Sequence, residues 1–172
     1  MRKVIFGVAN SLDNYIARED HAVDWLLWSD EVFAFMKDFW KTIDTVVMGR
    51  KTYEVSLKLG GGSYPGATTY VCSRTMKESP EAKVRLIADA EGFIRDLKQG
   101  EGKGICVMGG GELAKSLLEA DLIDEIGMNI HPVLLGSGIP LFHEMNRQLN
   151  LELLECKTFK TGCVLVTYGV RH

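Results

Sequence analysis

Two glycine-bearing turns are the part of this sequence whose residue types and spacing have the clearest chemical meaning. The first glycine turn is Gly49 with the cations Arg50 and Lys51, and the second glycine turn is the triplet at 109–111; each follows a short apolar run and precedes a helical pattern. A strand that ends in glycine and opens a helix exposes unpaired backbone N–H groups at the positive end of the helix dipole, which suits a phosphate. Two such turns predict a ligand with several phosphates, and a dinucleotide is the natural candidate.

The second glycine turn also fits a known dinucleotide fingerprint, G-x-G-x-x-A, over residues 109–114. In the doubly wound fold, that fingerprint requires an acidic residue at the end of the following strand to hold the adenosine ribose. Here the following strand ends in Ile130, His131 and Pro132, and too little chain remains for the rest of that fold. We therefore reject the doubly wound interpretation.

Composition limits the classes of partner. The 172 residues carry a formal net charge of −3, so no overall positive field attracts nucleic acid or an anionic membrane. The apolar runs are far too short to span a bilayer, and the run after the basic start is too short for a secretory signal. We expect a cytoplasmic protein with one domain over residues 1–172 that binds a small molecule, and neither nucleic acid nor membrane.

The cysteines and histidines give no sign of a metal site. Four cysteines show no C-x-x-C spacing, and four histidines are scattered along the chain. Cys72 and Cys106 lie inside apolar runs, where a free thiol behaves as a small hydrophobic side chain. We predict no metal, and buried structural roles for these two thiols.

β-Rich runs alternate with amphipathic helical patterns along the chain, and this alternation predicts an α/β domain. The strands and helices of that domain must position the two glycine turns. Predicted strands are residues 4–9, 45–48, 69–72, 84–87, 105–107 and 123–132, and predicted helices are 30–40, a segment ending near residue 58, 90–98 and 111–120. Two final strands, 149–159 and 163–170, predict a C-terminal antiparallel hairpin. We expect a central mixed, mostly parallel sheet with helices on both faces.

Several segments, in order along nearly the whole chain, resemble dihydrofolate reductase and the related reductase domain of riboflavin biosynthesis. Residues 48–54, Met-Gly-Arg-Lys-Thr-Tyr-Glu, are similar to the M-G-R-x-T-[WY]-E turn of that superfamily. Residues 8–17 look like its first strand and mobile loop, 71–74 like the strand end whose serine meets the adenosine phosphate, 107–111 like its V-x-G-G-G turn, and 131–142 like the riboflavin-type branch. The resemblance implies a three-layer α/β/α dihydrofolate-reductase-like fold.

The resemblance also implies NADPH as the cofactor. Its 2′-phosphate calls for cations, and Arg50, Lys51 and Arg74 are suitably placed, although solvated surface charges are the alternative. By this likeness the main chain at Ala9 and Ile16 would hold the nicotinamide carboxamide, while both side chains suit core packing equally well. The remaining predicted cofactor residues are Met48, Gly49, Thr52, Ser73, Met108, Gly109, Gly110 and Gly111.

The substrate side of the site is less defined. Glu31 and Phe35 reproduce the spacing of an acid and a phenylalanine that bind the pterin in dihydrofolate reductase, with Asp30 beside them as a second catalytic candidate. Acids at 30 and 31 are equally explained by stabilisation of a helix start. Asp24 and Trp25 are further candidates for substrate binding, and core or lid packing is the alternative for the tryptophan.

Two departures from the family pattern bear on which substrate the resemblance implies. Met108 stands where riboflavin-type reductases carry a glutamate near the substrate sugar, and Trp28-Ser29 replaces the leucine-proline before the helix acid of dihydrofolate reductase. The resemblance implies an NADPH-dependent reductase of a small heterocycle, nearest to 5-amino-6-(5-phosphoribosylamino)uracil reductase. Dihydrofolate reduction, or a nucleotide-binding module without turnover, are the alternatives. A homodimer through the exposed terminal strands is also expected.

Overall fold

The computed structural model describes residues 1–171, in which one eight-stranded sheet is the central element. Its strands, in spatial order, are β5 (Val84–Ile87), β4 (Thr68–Cys72), β3 (Ile43–Gly49), β6 (Gly104–Met108), β1 (Val4–Ser11), β7 (Glu125–His131), β10 (Val164–Arg171) and β9 (Asn150–Thr158). The six strands from β5 to β7 run parallel, and β10 and β9 are antiparallel to their neighbours. The predicted mixed sheet with a C-terminal hairpin is therefore confirmed.

Four helices cover the two faces of the sheet, as the amphipathic patterns predict. Helices α3 (Ala90–Gln99) and α4 (Gly111–Glu119) pack on one face, where Ile94 and Leu117 join Phe6 and Val107 in a buried cluster. Helices α1 (Asp30–Lys41) and α2 (Arg50–Lys58) pack on the other face. The result is a three-layer α/β/α fold, because side chains alternate along each strand between the two helical layers.

A second, two-stranded sheet was not predicted. It pairs β2 (Tyr15–Ala17) with β8 (Ile139–Pro140) in antiparallel fashion. Three residues and two residues are too few to show the period of a strand, and Pro140 reads as a loop residue. These two strands are defined only by their pairing with each other, and that pairing joins segments that are distant in sequence.

The two cysteines predicted to be buried differ in the structure. Cys106 is buried between strands, and burial raises the pKa of its thiol to about 12, so that it stays protonated. Cys72 is only half-buried, which corrects the prediction, because it ends β4 where the sheet opens into a cavity. No helix among residues 1–171 is both long enough and apolar enough to cross a membrane.

Candidate functional site

A cavity of about 960 Å³ lies at the carboxyl ends of the parallel strands. The segments that follow β1, β3, β4, β5 and β6 all contribute to its lining. In open parallel sheets this edge is where ligands bind, because the turns leaving neighbouring strands converge there. The cavity is large enough to enclose an extended ligand of cofactor size.

The two glycine turns meet at this edge. Strands β3 and β6 are neighbours with Met48 opposite Met108, so the turns that follow them emerge side by side. A Cβ atom built on Gly109 would lie 3.0 Å from Cγ2 and from Oγ1 of Thr52. Gly109 and Gly110 have φ angles of 53° and 84°, a conformation that L side chains rarely adopt, so glycine is needed for the turn itself.

Helices α2 and α4, which leave these turns, start without a side-chain cap. Their N-cap residues are Gly49 and Gly110, and neither has a side-chain oxygen that could accept a hydrogen bond from the first N–H groups of the helix. In contrast, Ser29 accepts from the Val32 N–H at the start of α1, and Asp89 accepts from the Gly92 N–H at the start of α3. The starts of α2 and α4 therefore leave backbone donors available at the cavity wall.

The charges around the cavity are mixed. Arg50, Lys51 and Arg74 line it, are exposed, and lie on the two turns that follow β3 and β4. Arg50 also forms an ion pair with Glu54, with 2.9 Å between Nη1 and Oε1. Four acids line the cavity as well: Glu19, Asp89, Glu91 and Glu112. The three cations lie on the turns after β3 and β4, and the acids of the lining outnumber them.

The wall formed by β2 and β8 is fastened to the rest of the site by Asp13. Its carboxylate accepts from the Ser11 hydroxyl (2.6 Å) and from the N–H groups of Leu135 (3.1 Å) and Gly136 (2.8 Å). The hydrogen bond from Ser11, followed by those from the two amides, lowers the pKa of Asp13 below its ordinary range. Asp13 therefore ties the loop after β1 to the loop that leads into β8.

Of the thirteen residues predicted to contact the cofactor, twelve line this cavity: Ala9, Ile16, Gly49, Arg50, Lys51, Thr52, Ser73, Arg74, Met108, Gly109, Gly110 and Gly111. Met48 does not, because its side chain is fully buried in the core with Tyr53 and Val71. The structure thus brings together positions that are about a hundred residues apart in sequence. Their role as cofactor ligands stays a prediction.

The predicted catalytic and substrate residues lie elsewhere, and none lines the cavity. The carboxylate of Glu31 accepts from the Lys160 N–H at 3.0 Å, and Phe35 packs against Phe159. Asp24 pairs with Arg18 in solvent at 2.7 Å. Asp30 is exposed in the first turn of α1, and Trp25 is buried against His131. Their roles in catalysis and substrate binding stay predictions.

A smaller cavity of about 480 Å³ contains Glu31 and Phe35. It lies between α1 and β9, with Glu155 and Lys157 of β9 on its other wall. The Lys157 ammonium sits 5.4 Å from the centroid of the Phe35 ring. The spacing of Glu31 and Phe35 therefore places them together, as expected, but in a cavity separate from the one that the glycine turns line.

A buried polar cluster near the main cavity was missed by the sequence analysis. Asn129 on β7 lies opposite Ala9 and on the same face, with Nδ2 3.3 Å from Nε2 of the buried His131. His131 Nδ1 accepts from the Leu27 N–H (3.2 Å), and burial lowers the pKa of the ring, so it is neutral at pH 7. Asn129 Oδ1 and Trp25 Nε1 are buried and have no hydrogen-bond partner among residues 1–171.

Several residues that line the main cavity were also missed, among them His21, Asp89, Glu91 and His143. Asp89 ends the segment after β5, which the strand prediction contained, so it could have been found. His143 follows the unpredicted strand β8, and no motif marks it. No group of three or more metal-ligating side chains is present among residues 1–171, and the absence of a metal stays a prediction.

The fold and the site together define a dihydrofolate-reductase-like protein: a mostly parallel sheet with two glycine turns side by side over one cavity. More narrowly, the chain belongs to the RibD C-terminal domain family, which matches residues 2–165. The resemblance inferred from the motifs is thereby confirmed. The family match and the structural neighbours support a reductase of the dihydrofolate-reductase-like superfamily.

Three similar proteins, at decreasing levels of sequence identity, agree with this assignment. The chain is 39% identical to YwjB of Bacillus subtilis (strain 168), an uncharacterized protein, over 161 residues and 92% of each chain. A crystal structure from Shewanella sp. PV-4, whose name proposes a role in riboflavin biosynthesis, is 29% identical, with a TM-score of 0.85 and full coverage of both chains. Dihydrofolate reductase from Enterococcus faecalis, complexed with NADP(H) and RAB-propyl, is 21% identical, with a TM-score of 0.71 over 99% of this chain and 97% of that one. This last likeness shows the fold.

Proposed function

We propose that the protein is an NADPH-dependent reductase that transfers hydride to a C=N or C=O group of a small heterocyclic substrate. The observation that carries the proposal is the pair of adjacent helix starts, those of α2 and α4, which have no side-chain cap and line one cavity. Unpaired N–H groups at two helix starts attract the phosphates of one dinucleotide. The nearest activity is reduction of 5-amino-6-(5-phosphoribosylamino)uracil.

The residues present fit NADPH. Gly109 and Gly110 lack side chains that would fill the turn, so a pyrophosphate can approach the backbone there, as it can at Gly49. Arg50, Lys51 and Arg74 are exposed at the end of the cavity where β3 and β4 stop, which suits the 2′-phosphate. The main chain at Ala9 and Ile16 would hold the nicotinamide. When bound, NADPH supplies the hydride, and the protein supplies orientation and exclusion of water.

We place the heterocycle beside Ala9, on the sheet face that α1 covers. Asn129 lies directly across from Ala9, and one polar atom of its buried side-chain amide has no partner among residues 1–171. Trp25 Nε1, whose ring contacts His131 on the same strand as Asn129, is buried without a partner as well. Buried polar atoms without partners are costly, so a polar heterocycle that pairs with them gains binding energy. This keeps Trp25 as a substrate residue, by its ring nitrogen rather than by stacking.

Dihydrofolate is the less favoured substrate. A pterin-binding acid would have to come from the start of α1, and Glu31 there is already paired with the Lys160 N–H and faces another cavity. The family assignment also favours the riboflavin-type substrate over the pterin.

The test has two steps. Titration of NADPH fluorescence measures binding, and oxidation of NADPH is then followed with 5-amino-6-(5-phosphoribosylamino)uracil and with dihydrofolate as separate substrates. We expect NADPH to bind and the aminouracil to be reduced. No NADPH binding at about millimolar concentration, a weak limit for a cofactor, would overturn the proposal.

A nucleotide-binding module without turnover is the second candidate. It is favoured by Met108, which places a thioether where the related reductases have a carboxylate beside the substrate. Tight NADPH binding with no oxidation by either substrate would support the module. Oxidation with either compound would exclude it.

We further propose a homodimer formed through β9. Every residue of this edge strand is exposed, and Leu151, Leu153 and Leu154 are 43%, 56% and 51% accessible. An edge strand with one neighbour and three exposed leucines is a ready surface for a second copy of the chain.

A further inference from the structure

His143 lies over the first residue of α4, beside the second glycine turn, and it lines the main cavity. We propose that the protonated imidazole of His143 binds the pyrophosphate of the cofactor, so that cofactor binding takes up a proton. This inference rests on the proposed NADPH function and assigns one more ligand within that site. It predicts a pH dependence of cofactor affinity that the backbone donors alone would not produce.

The position of the ring follows from its contact with Gly111. A Cβ atom built on Gly111 would lie 2.5 Å from Cδ2 and 2.7 Å from Nε2 of His143, and 2.8 Å from the carbonyl oxygen of Leu141. Only glycine allows the segment after β8 to close over the helix start in this way. The Cδ2–Nε2 edge of the ring therefore lies against the turn whose N–H groups are left without a side-chain cap.

The other ring nitrogen faces an acid. His143 Nδ1 is 3.6 Å from Glu112 Oε1, in the first turn of α4. A carboxylate on this side favours a proton on Nδ1, which leaves Nε2 of the neutral ring with only a lone pair toward the turn. A phosphate oxygen gains nothing from a lone pair. Protonation turns Nε2 into a donor and gives the ring a positive charge, which a phosphate attracts.

Protonation of His143 also offsets the negative charge of Glu112. Its side chain is 84% exposed, so its pairing with His143 contributes little to stability, but its charge lies next to the proposed pyrophosphate. The imidazolium offsets that charge as well as binding the phosphate. The other charged groups that line the cavity are Arg50, Lys51, Arg74, Glu19, Asp89 and Glu91, and the Ser116 hydroxyl contacts the last of these.

The sign of the effect follows from linkage. Because the cofactor binds the imidazolium better than the neutral ring, affinity is highest at low pH and falls as pH rises. The loss expected for one charge-assisted hydrogen bond to phosphate is about tenfold in Kd.

The experiment measures the Kd of NADPH by fluorescence titration at several pH values for the wild type and for His143→Gln. We expect the Kd of the wild type to rise about tenfold more from the lowest to the highest pH than that of the variant. The 2′-phosphate of NADPH also changes its charge with pH, but it does so equally with both proteins, so the difference between the two Kd profiles reports on the histidine. Calorimetry in two buffers of different ionisation enthalpy should show proton uptake that His143→Gln reduces.

Glu112→Gln provides a second variant at an exposed position, where folding is not at risk. It should bind NADPH more tightly than the wild type at high pH, because a carboxylate beside the phosphate is removed. Glu144→Gln is the matched control, since Glu144 is exposed and outside the cavity lining, and it should leave both Kd and its pH dependence unchanged.

Three outcomes are possible. A smaller pH slope in His143→Gln supports the inference. An unchanged slope and unchanged proton uptake overturn it while leaving the NADPH function intact. Failure of the wild type to bind NADPH at any pH overturns the proposed function and this inference together.

Discussion

Thr52 and Gly109 lie next to each other across the two glycine turns: a Cβ atom built on Gly109 would lie 3.0 Å from the Thr52 hydroxyl oxygen. Fifty-seven positions of sequence, from 52 to 109, separate these residues. Their proximity makes the two glycine turns one wall of a single cavity.

Gly109→Ala should disturb both the turn and the ligand site. The φ angle of 53° is unfavourable for alanine, and the added methyl group would press on Thr52. We expect a loss of about 1 to 3 kcal/mol in the free energy of unfolding, together with weaker NADPH binding. Chemical denaturation and NADPH fluorescence titration measure the two effects. A variant as stable as the wild type would contradict the assigned backbone strain.

Gly49→Ala separates binding from stability. Gly49 has a φ angle of −74°, and a Cβ atom there would meet nothing within 4 Å, so the fold accepts alanine. We expect a change of less than about 1 kcal/mol in the free energy of unfolding. NADPH should nevertheless bind more weakly, because the methyl group lies at the proposed phosphate site. Unchanged NADPH affinity would count against a phosphate at the first glycine turn.

Arg74→Ala should reduce the preference for NADPH over NADH. Arg74 follows β4, is exposed, and lines the end of the cavity assigned to the 2′-phosphate. Loss of one charge-assisted contact should raise the Kd of NADPH about tenfold and leave that of NADH unchanged. Arg95→Ala is the control, because Arg95 is exposed on α3 and outside the cavity lining. Equal losses for both cofactors would place the 2′-phosphate elsewhere.

Asp13→Asn should loosen the wall formed by β2 and β8. The Asp13 carboxylate accepts hydrogen bonds from Ser11 and from the amides of Leu135 and Gly136, and its lowered pKa means that the ionised form is the one that binds them. This contribution is therefore present above the ordinary pKa of 3.8 and is lost as pH falls through the lower pKa of the folded protein.

Hydrogen exchange of the Leu135 and Gly136 amides measures this attachment. Exchange should be faster in Asp13→Asn than in the wild type at neutral pH, because the neutral amide is a weaker acceptor. Equal protection in the two proteins at neutral pH would show that other contacts hold the loop.

Leu153→Glu tests the proposed dimer. Leu153 is 56% exposed on the edge strand β9, and a carboxylate in the middle of a β9 interface would be buried without a partner. We expect sedimentation to shift from dimer to monomer. Leu59→Glu is the matched control, because Leu59 is 66% exposed at the end of α2, far from β9 in sequence and on another element. A wild type that sediments as a monomer would exclude the interface outright.

Much of the fold could be predicted from the sequence, because its signals are local. The apolar runs of β1, β3 and β6 and the stripe of α1 each predict their element within a few residues, and the glycines mark where strands give way to helices. Twelve of the thirteen residues predicted for the cofactor line one cavity, since parallel neighbours bring their carboxyl ends to the same edge. Met48 was the exception, because one residue before the turn the side chain still points into the core.

The surroundings of the predicted substrate residues could not be predicted from local sequence, because they depend on tertiary structure. The spacing of Glu31 and Phe35 fixes one face of α1 but not what that face meets, and in the folded chain it meets Lys160 and β9 rather than the cavity. The cluster of Asn129, His131 and Trp25, the pairing of β2 with β8, and the position of His143 over Gly111 all join segments distant in sequence. Local sequence therefore determined the strands, helices and glycine turns, whereas long-range packing decided which side chains share a cavity.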